Sequence, residues 1–169
     1  MQAKNALLVV LLLLCALLGF HFWQVFKSPT RLPDLHFSSI KGEQLSLQQL
    51  RGKPVLVTFW ATSCPSCIKD MAHLMTLYQR YHLQGLEIIA IAMPYDPPNY
   101  VVEMSKAKAL PYPVVLDVHG DYVQAFGKVS LTPNSFLIAP DGQVALHQLG
   151  LLDMAQMQTL LEAFLPAPR

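Results

Sequence analysis

Pro54-Val55-Leu56-Val57-Thr58-Phe59-Trp60-Ala61-Thr62-Ser63-Cys64-Pro65-Ser66-Cys67 is the stretch whose reading decides the fold. Val55 to Ala61 is rich in β-branched and aromatic residues and nearly continuously apolar, the pattern of a buried strand. Ile68 to Leu83 then shows helical spacing. Ile68, Met71, Met75 and Tyr78 make one stripe, Leu74, Leu77 and Tyr81 widen it, and the helix is expected to run from Cys67. A C-x-x-C at a strand-to-helix junction sets its first sulfur among unpaired N–H groups at the positive end of the helix dipole. That setting favours a thiolate. Thiolate is the nucleophile of disulfide exchange, and a second cysteine one turn on can close the ring.

Other chemistries for the pair fit poorly. A structural zinc site needs two more ligands at matching spacing. The remaining cysteine, Cys15, lies in an apolar segment, and His21, His36, His73, His82, His119 and His147 are scattered. Covalent haem attachment needs His directly after the second cysteine, where Ile68 stands. A structural disulfide over so short a loop would stabilise little. No cofactor is expected beyond the Cys64–Cys67 disulfide itself, and no metal.

The chain has 169 residues, 53% of them hydrophobic and 14% charged, against roughly 25% charged in an ordinary soluble domain. The excess of apolar residues is local. Ala6 to Phe26 is interrupted only by His21 and Gln24. At about 1.5 Å per residue it spans ~31 Å as a helix, close to the ~30 Å hydrocarbon layer of a bilayer. Bulky residues from Phe20 to Phe26 make a poor signal-peptidase site, and Trp23 and His21 suit an interface. Cys15 follows Leu14 rather than a small residue, which argues against lipidation. Residues 1–27 are therefore expected to be an uncleaved membrane anchor, 28–32 a tether and 33–169 one domain. Lys4 is balanced by Lys27 and Arg31, so charge sets no strong orientation. A cytoplasmic N-terminus follows instead from placing the dithiol where disulfides form. The formal net charge of +1, without basic clusters, gives no reason to propose nucleic acid.

Along the domain, Leu35 to Leu47 reads as a hairpin broken at Lys41-Gly42, and Gln48 to Lys53 as a short turn or helix ended by Gly52. Leu86 to Met93 is a second buried strand. A proline-rich loop leads to a helix over about Tyr100–Leu110, then a strand at Val114–Asp117 and a short helix at Asp121–Phe126. Asn134–Ala139 and Val144–Leu149 flank Asp141-Gly142, a strong hairpin signal. The last helix opens at Asp153 with Gln156 as capping-box partner, and buries Met157, Leu160, Leu161 and Phe164. The order β-α-β-α-β, hairpin, α predicts an α/β fold with a mixed sheet covered on both faces.

Taken together, several segments carry a resemblance: Pro33-Asp34-Leu35, Lys41-Gly42 with Leu45-Ser46-Leu47, Leu50-Arg51-Gly52-Lys53, Phe59-Trp60-Ala61, and Leu131-Thr132-Pro133-Asn134-Ser135-Phe136-Leu137-Ile138-Ala139-Pro140-Asp141-Gly142. From about Leu32 to Leu165 the chain resembles the membrane-tethered thioredoxin-fold reductases of the TlpA/ResA type, with a redoxin-like domain. The resemblance implies a thioredoxin fold with an N-terminal extension and a central β-α insertion at Leu86–Leu116. It also implies a cis proline facing the dithiol, matched by Pro133. The chain departs from the family pattern in four places. Ser63 stands where Trp is usual, Pro65-Ser66 where Gly-Pro is commoner, and Asp70 where relatives often have Glu. Thr58 replaces the buried Asp of thioredoxins themselves.

The roles follow. Cys64, first in the helix, is expected to be the exposed attacking thiolate, and Cys67 the buried resolving thiol. Pro133 offers no N–H, and Thr132 has backbone groups free to pair with an extended substrate. Asp70 is either a proton shuttle for Cys67 or a solvated residue near a helix N-terminus. Trp60 reads most simply as a core residue with a side role in shielding the dithiol, Pro65 and Ser66 complete the candidate substrate contacts, and His73 reads as a surface residue rather than a ligand.

The function expected is a membrane-anchored thiol–disulfide oxidoreductase of the bacterial inner membrane, with its redox domain outside the cytoplasm. It would reduce protein disulfides, with apocytochrome c or another envelope protein as the substrate implied by the family, and be recharged by a membrane electron donor of the thiol–disulfide interchange type. Two alternatives stand. One is an oxidant, since potentials in this fold run from about −270 to about −120 mV. The other is a copper metallochaperone using the two sulfurs, although such relatives typically have a C-x₃-C with a distant His.

Overall fold

A computed structural model describes residues 32–166. The expected anchor over 1–27 lies outside the described residues, as does the tether except for Leu32. Leu32 is buried with Leu47, Leu50 and Val55 rather than standing in a free linker. Among the described residues no helix is long and apolar enough to cross a membrane.

The domain opens with an antiparallel hairpin, β1 (His36–Ser38) and β2 (Gln44–Ser46). The central strand β3 (Val55–Trp60) leads into α1 (Pro65–Tyr81), then a 3₁₀ turn (His82–Gln84) and β4 (Glu87–Ala92). α2 (Pro98–Ala107) and β5 (Val114–Leu116) follow, so that β4, α2 and β5 occupy the stretch Leu86–Leu116 expected as an insertion, and α3 (Asp121–Ala125) comes next. β6 (Asn134–Ile138), β7 (Val144–Leu149) and α4 (Met154–Phe164) complete the domain. The sheet order is β5-β4-β3-β6-β7, with β3, β4 and β5 parallel and β6 and β7 antiparallel to their neighbours. This is the mixed sheet of a thioredoxin fold.

The near-continuous apolar runs have a direct cause. On β3, Leu56 and Trp60 face one core with α1 and α4, while Val55, Val57 and Phe59 face a second core on the other side of the sheet. On β4, Ile88, Ala90 and Ala92 alternate with Ile89 and Ile91 in the same way. A strand covered on both faces has no use for polar alternation. Phe59, Phe126 and Phe136 meet edge to face in the second core, with centroids 5.0 to 6.1 Å apart. Such contacts add about 0.5–1.5 kcal/mol each beyond area burial.

Three local expectations are corrected. α1 begins at Pro65, not Cys67, because proline at the first helical position has its φ preset and no N–H to satisfy. The buried stripe of α1 centres on Met71, Leu74, Leu77 and Tyr81, with Ile68, Met75 and Tyr78 at its margin. At α4 the Asp153 carboxylate does accept from the N–H groups of Ala155 and Gln156. The reciprocal bond is not made by Gln156; the Asp153 N–H donates to Gln148 Oε1 at 3.3 Å, since β7 ends alongside.

Candidate active site around Cys64 and Cys67

Cys64 is the N-cap of α1, joined to Cys67 by a disulfide. The Cys67 N–H donates to Cys64 Sγ at 3.1 Å, and the Ile68 N–H donates to the Cys64 carbonyl. An N-cap side chain normally offers oxygen to the orphan donors of the first turn; here sulfur does so. The same donors favour negative charge on that sulfur after reduction. Cys64 was expected to be exposed and first in the helix. It is instead one position earlier and only 9% exposed, against 2% for Cys67. The order of accessibility between the two sulfurs is still the one expected.

The turn carrying Cys64 is held from outside. Asp96, in the loop between β4 and α2, accepts from Thr62 N at 2.6 Å and from Thr62 Oγ1 at 2.5 Å, and is itself buried. Neither residue stood out in the sequence. The loop returns beside the end of β3 because β4 is its parallel neighbour, with Trp60 opposite Ala92.

On the inner side a small cavity is lined by Cys67, Trp60, Asp70, Tyr112 and Pro133, together with Thr58, Met71, Leu74, Ala90 and Leu110. Four of the predicted site residues therefore converge. Pro65, Ser66 and Thr132 do not line it. Pro65 is exposed, and Ser66 and Thr132 are half-buried. Ser66 Oγ lies 3.4 Å from Cys64 Sγ. The Thr132–Pro133 peptide is cis, as the resemblance implied. Pro133 lines the same cavity as Cys67 because β6 pairs antiparallel with β3, so the start of one lies beside the end of the other.

Asp70 is not a solvated helix residue. Its side chain is buried; its two oxygens accept from Leu152 N at 3.3 and 3.2 Å, and Oδ1 lies 3.0 Å from His73 Nδ1. A carboxylate out of water needs such partners. Tyr112, unremarked in the sequence, presents Oη, which with Trp60 Nε1 is buried without a hydrogen-bond partner among the described residues. Burial, and secondly the charge of Asp70, push the Tyr112 phenol well above its ordinary value. It stays a neutral donor. In place of the thioredoxin Asp, Thr58 Oγ1 pairs with Ser135 Oγ at 2.9 Å. No group of three or more His, Cys, Asp or Glu side chains that could hold a metal ion occurs among the described residues. The arrangement suits thiol–disulfide exchange: a reactive sulfur at a helix start, a second sulfur within ring-closing distance, and a sheltered carboxylate on the inner side.

Comparison with known proteins agrees. Residues 27–160 match the redoxin family. Over 174 residues the chain is 32% identical to thiol-disulfide oxidoreductase ResA of Bacillus thuringiensis subsp. konkukian, covering 96% of this chain and 99% of that protein. The ResA of Geobacillus thermodenitrificans is 31% identical, with 94% of each chain covered. Among solved structures, a thiol:disulfide interchange protein of the thioredoxin family from Chlorobium tepidum superposes with a TM-score of 0.73 at 24% identity, over 82% of this chain and 97% of that one. StoA from Bacillus subtilis gives 0.67 at 22% identity, over 78% and 98%. These two likenesses speak to the fold alone.

Proposed function

The chain belongs to the redoxin family and is a thiol–disulfide oxidoreductase, and from that premise we propose that it is a membrane-anchored reductase of protein disulfides working outside the cytoplasm. The observation that carries the reading is the Cys64–Cys67 disulfide at the start of α1, with Pro133 lining the cavity at Cys67. In the forward direction the Cys64 thiolate attacks a substrate disulfide, forming a mixed disulfide and releasing one substrate sulfur as thiolate. Cys67 loses its proton to Asp70 and attacks Cys64 Sγ, which closes the internal disulfide and releases the second substrate sulfur. Two electrons pass from the dithiol to the substrate. A membrane thiol–disulfide interchange donor then restores the dithiol. Thr132, next to Pro133, supplies backbone groups for an extended substrate such as apocytochrome c or another envelope protein, with Pro65, Ser66 and Trp60 around the reacting sulfurs.

The apolar length of Ala6–Phe26 supports the anchor, and the benefit of a dithiol where disulfides form supports the location. Intact cells producing the full chain, treated with a membrane-impermeant maleimide, test both parts together. Labelling of Cys64 without prior reductant is expected. Labelling only after lysis would move the domain to the cytoplasm, and labelling only after dithiothreitol would make the protein an oxidant.

A further inference from the structure

A buried carboxylate takes a proton from a thiol more readily when it passes one on to water in the same event. We propose that His73 is the exit, relaying protons between Asp70 and solvent. This rests on the reading that Asp70 takes the proton of Cys67.

Among the described residues, two groups hydrogen-bond the Asp70 carboxylate, the Leu152 N–H and His73. The Leu152 N–H can only donate, and the Tyr112 phenol, which lines the same cavity, is buried and makes no hydrogen bond among those residues. His73 Nδ1, 3.0 Å from Asp70 Oδ1, belongs to a ring that both accepts and donates. Three residues apart on α1, the two side chains share one edge of the helix. The His73 side chain is 45% exposed and that of Asp70 2%. The pair thus bridges from the cavity at Cys67 to water in two side chains.

The step balances. Cys67 S–H gives its proton to the Asp70 carboxylate as its sulfur attacks Cys64 Sγ. The bond from Cys64 to the substrate sulfur breaks, and the substrate leaves as thiolate with the electron pair. In the same event Asp70 passes a proton from Oδ1 to His73 Nδ1, and the opposite ring nitrogen, Nε2, releases one to water. The departing thiolate takes a proton from solvent.

The test follows the second half of the exchange. The reduced full chain is mixed with glutathione disulfide, and the Cys64–glutathione adduct is quenched in acid and followed by mass spectrometry. The decay of the adduct reports ring closure by Cys67. We expect His73→Ala and His73→Gln each to slow that decay by about tenfold or more, less than the roughly hundredfold or more that a group acting directly on the reacting atoms supplies. Gln keeps a hydrogen bond to Asp70 but relays nothing. Added imidazole should restore His73→Ala and leave Asp70→Asn slow. His73→Gln decaying at the wild-type rate, or His73→Ala without imidazole rescue, would overturn the relay. Asp70→Asn at the wild-type rate would overturn the reading beneath it. Slow Asp70→Asn with normal His73→Ala would sink the relay alone.

Discussion

Asp96 takes both the N–H and the hydroxyl of Thr62, so a loop from the second parallel strand clamps the turn that presents Cys64. Replacement by alanine leaves the Thr62 N–H and hydroxyl without a partner. Asp96→Ala is expected to cost about 1 kcal/mol, the usual net worth of a hydrogen bond, because Thr62 is only half-buried. It should also slow the attack of Cys64 on glutathione disulfide, because the sulfur is less well placed. Asp96→Asn, which keeps an oxygen acceptor, should lose less of both. Urea denaturation and stopped-flow kinetics on the same variants check this; equal losses for the two substitutions would refute the clamp.

The two cysteines should separate cleanly by role. Cys67→Ser is expected to leave Cys64 joined to its substrate, since no internal thiol remains to displace it. Cys64→Ser should trap nothing, because Cys67 is the more deeply buried sulfur. Non-reducing gels of cell extracts, repeated with dithiothreitol, show the adducts. Alkylation against pH should find Cys64 reacting first, with a thiol below the ordinary value of about 8.5. Adducts on Cys64→Ser would reverse the assignment.

Thr58 and Ser135 form a cross-strand pair whose worth lies in being mutual. Thr58→Val strands the Ser135 hydroxyl and is expected to cost about 1–3 kcal/mol. Adding Ser135→Ala removes the stranded group, so the double variant should be more stable than Thr58→Val alone. Chemical denaturation of the four proteins in this cycle gives the answer, and simple additivity of the two losses would refute the pairing.

Glu87 should shape stability against pH. Burial raises its carboxyl above the ordinary 4.5, opposed by the charges of His82 and Lys53 and by hydrogen bonds from Ile88 and Tyr78. The folded state therefore holds this proton more tightly than the unfolded state. Its contribution is fully present below the ordinary value and is lost as pH rises through the folded one. Glu87→Gln should melt higher than wild type at neutral pH, with the gap closing as pH falls below the ordinary carboxylate value. Melting curves across that range check it; a gap independent of pH would count against the assignment.

The strands were legible because burial on both faces writes itself as unbroken apolar sequence, as at Val55–Trp60 and Glu87–Ala92. The dithiol was legible because its chemistry depends on spacing along one helix start. Asp70 was legible only as an alternative, since a carboxylate reads as solvent-facing until its partner is known, and Leu152 N lies in a distant loop. Asp96 and Tyr112 were missed for a related reason. Each acts through a contact made by strand pairing or by a cavity, and nothing in its own neighbourhood marks it. The Gln156 expectation failed on the same kind of tertiary contact, with Gln148 taking the bond.

The antiparallel seating of β6 against β3 also sets an order of events during synthesis. Both cysteines leave the ribosome well ahead of Pro133. At about 5–20 residues per second the pair waits several seconds for the strand that shelters it. A nascent chain in that interval has its most reactive atoms on its least finished part. The sole remaining cysteine of the sequence is Cys15, so between residues 32 and 166 neither sulfur has any other to mispair with. Sparse cysteine content thus protects the young domain from scrambling before its architecture can.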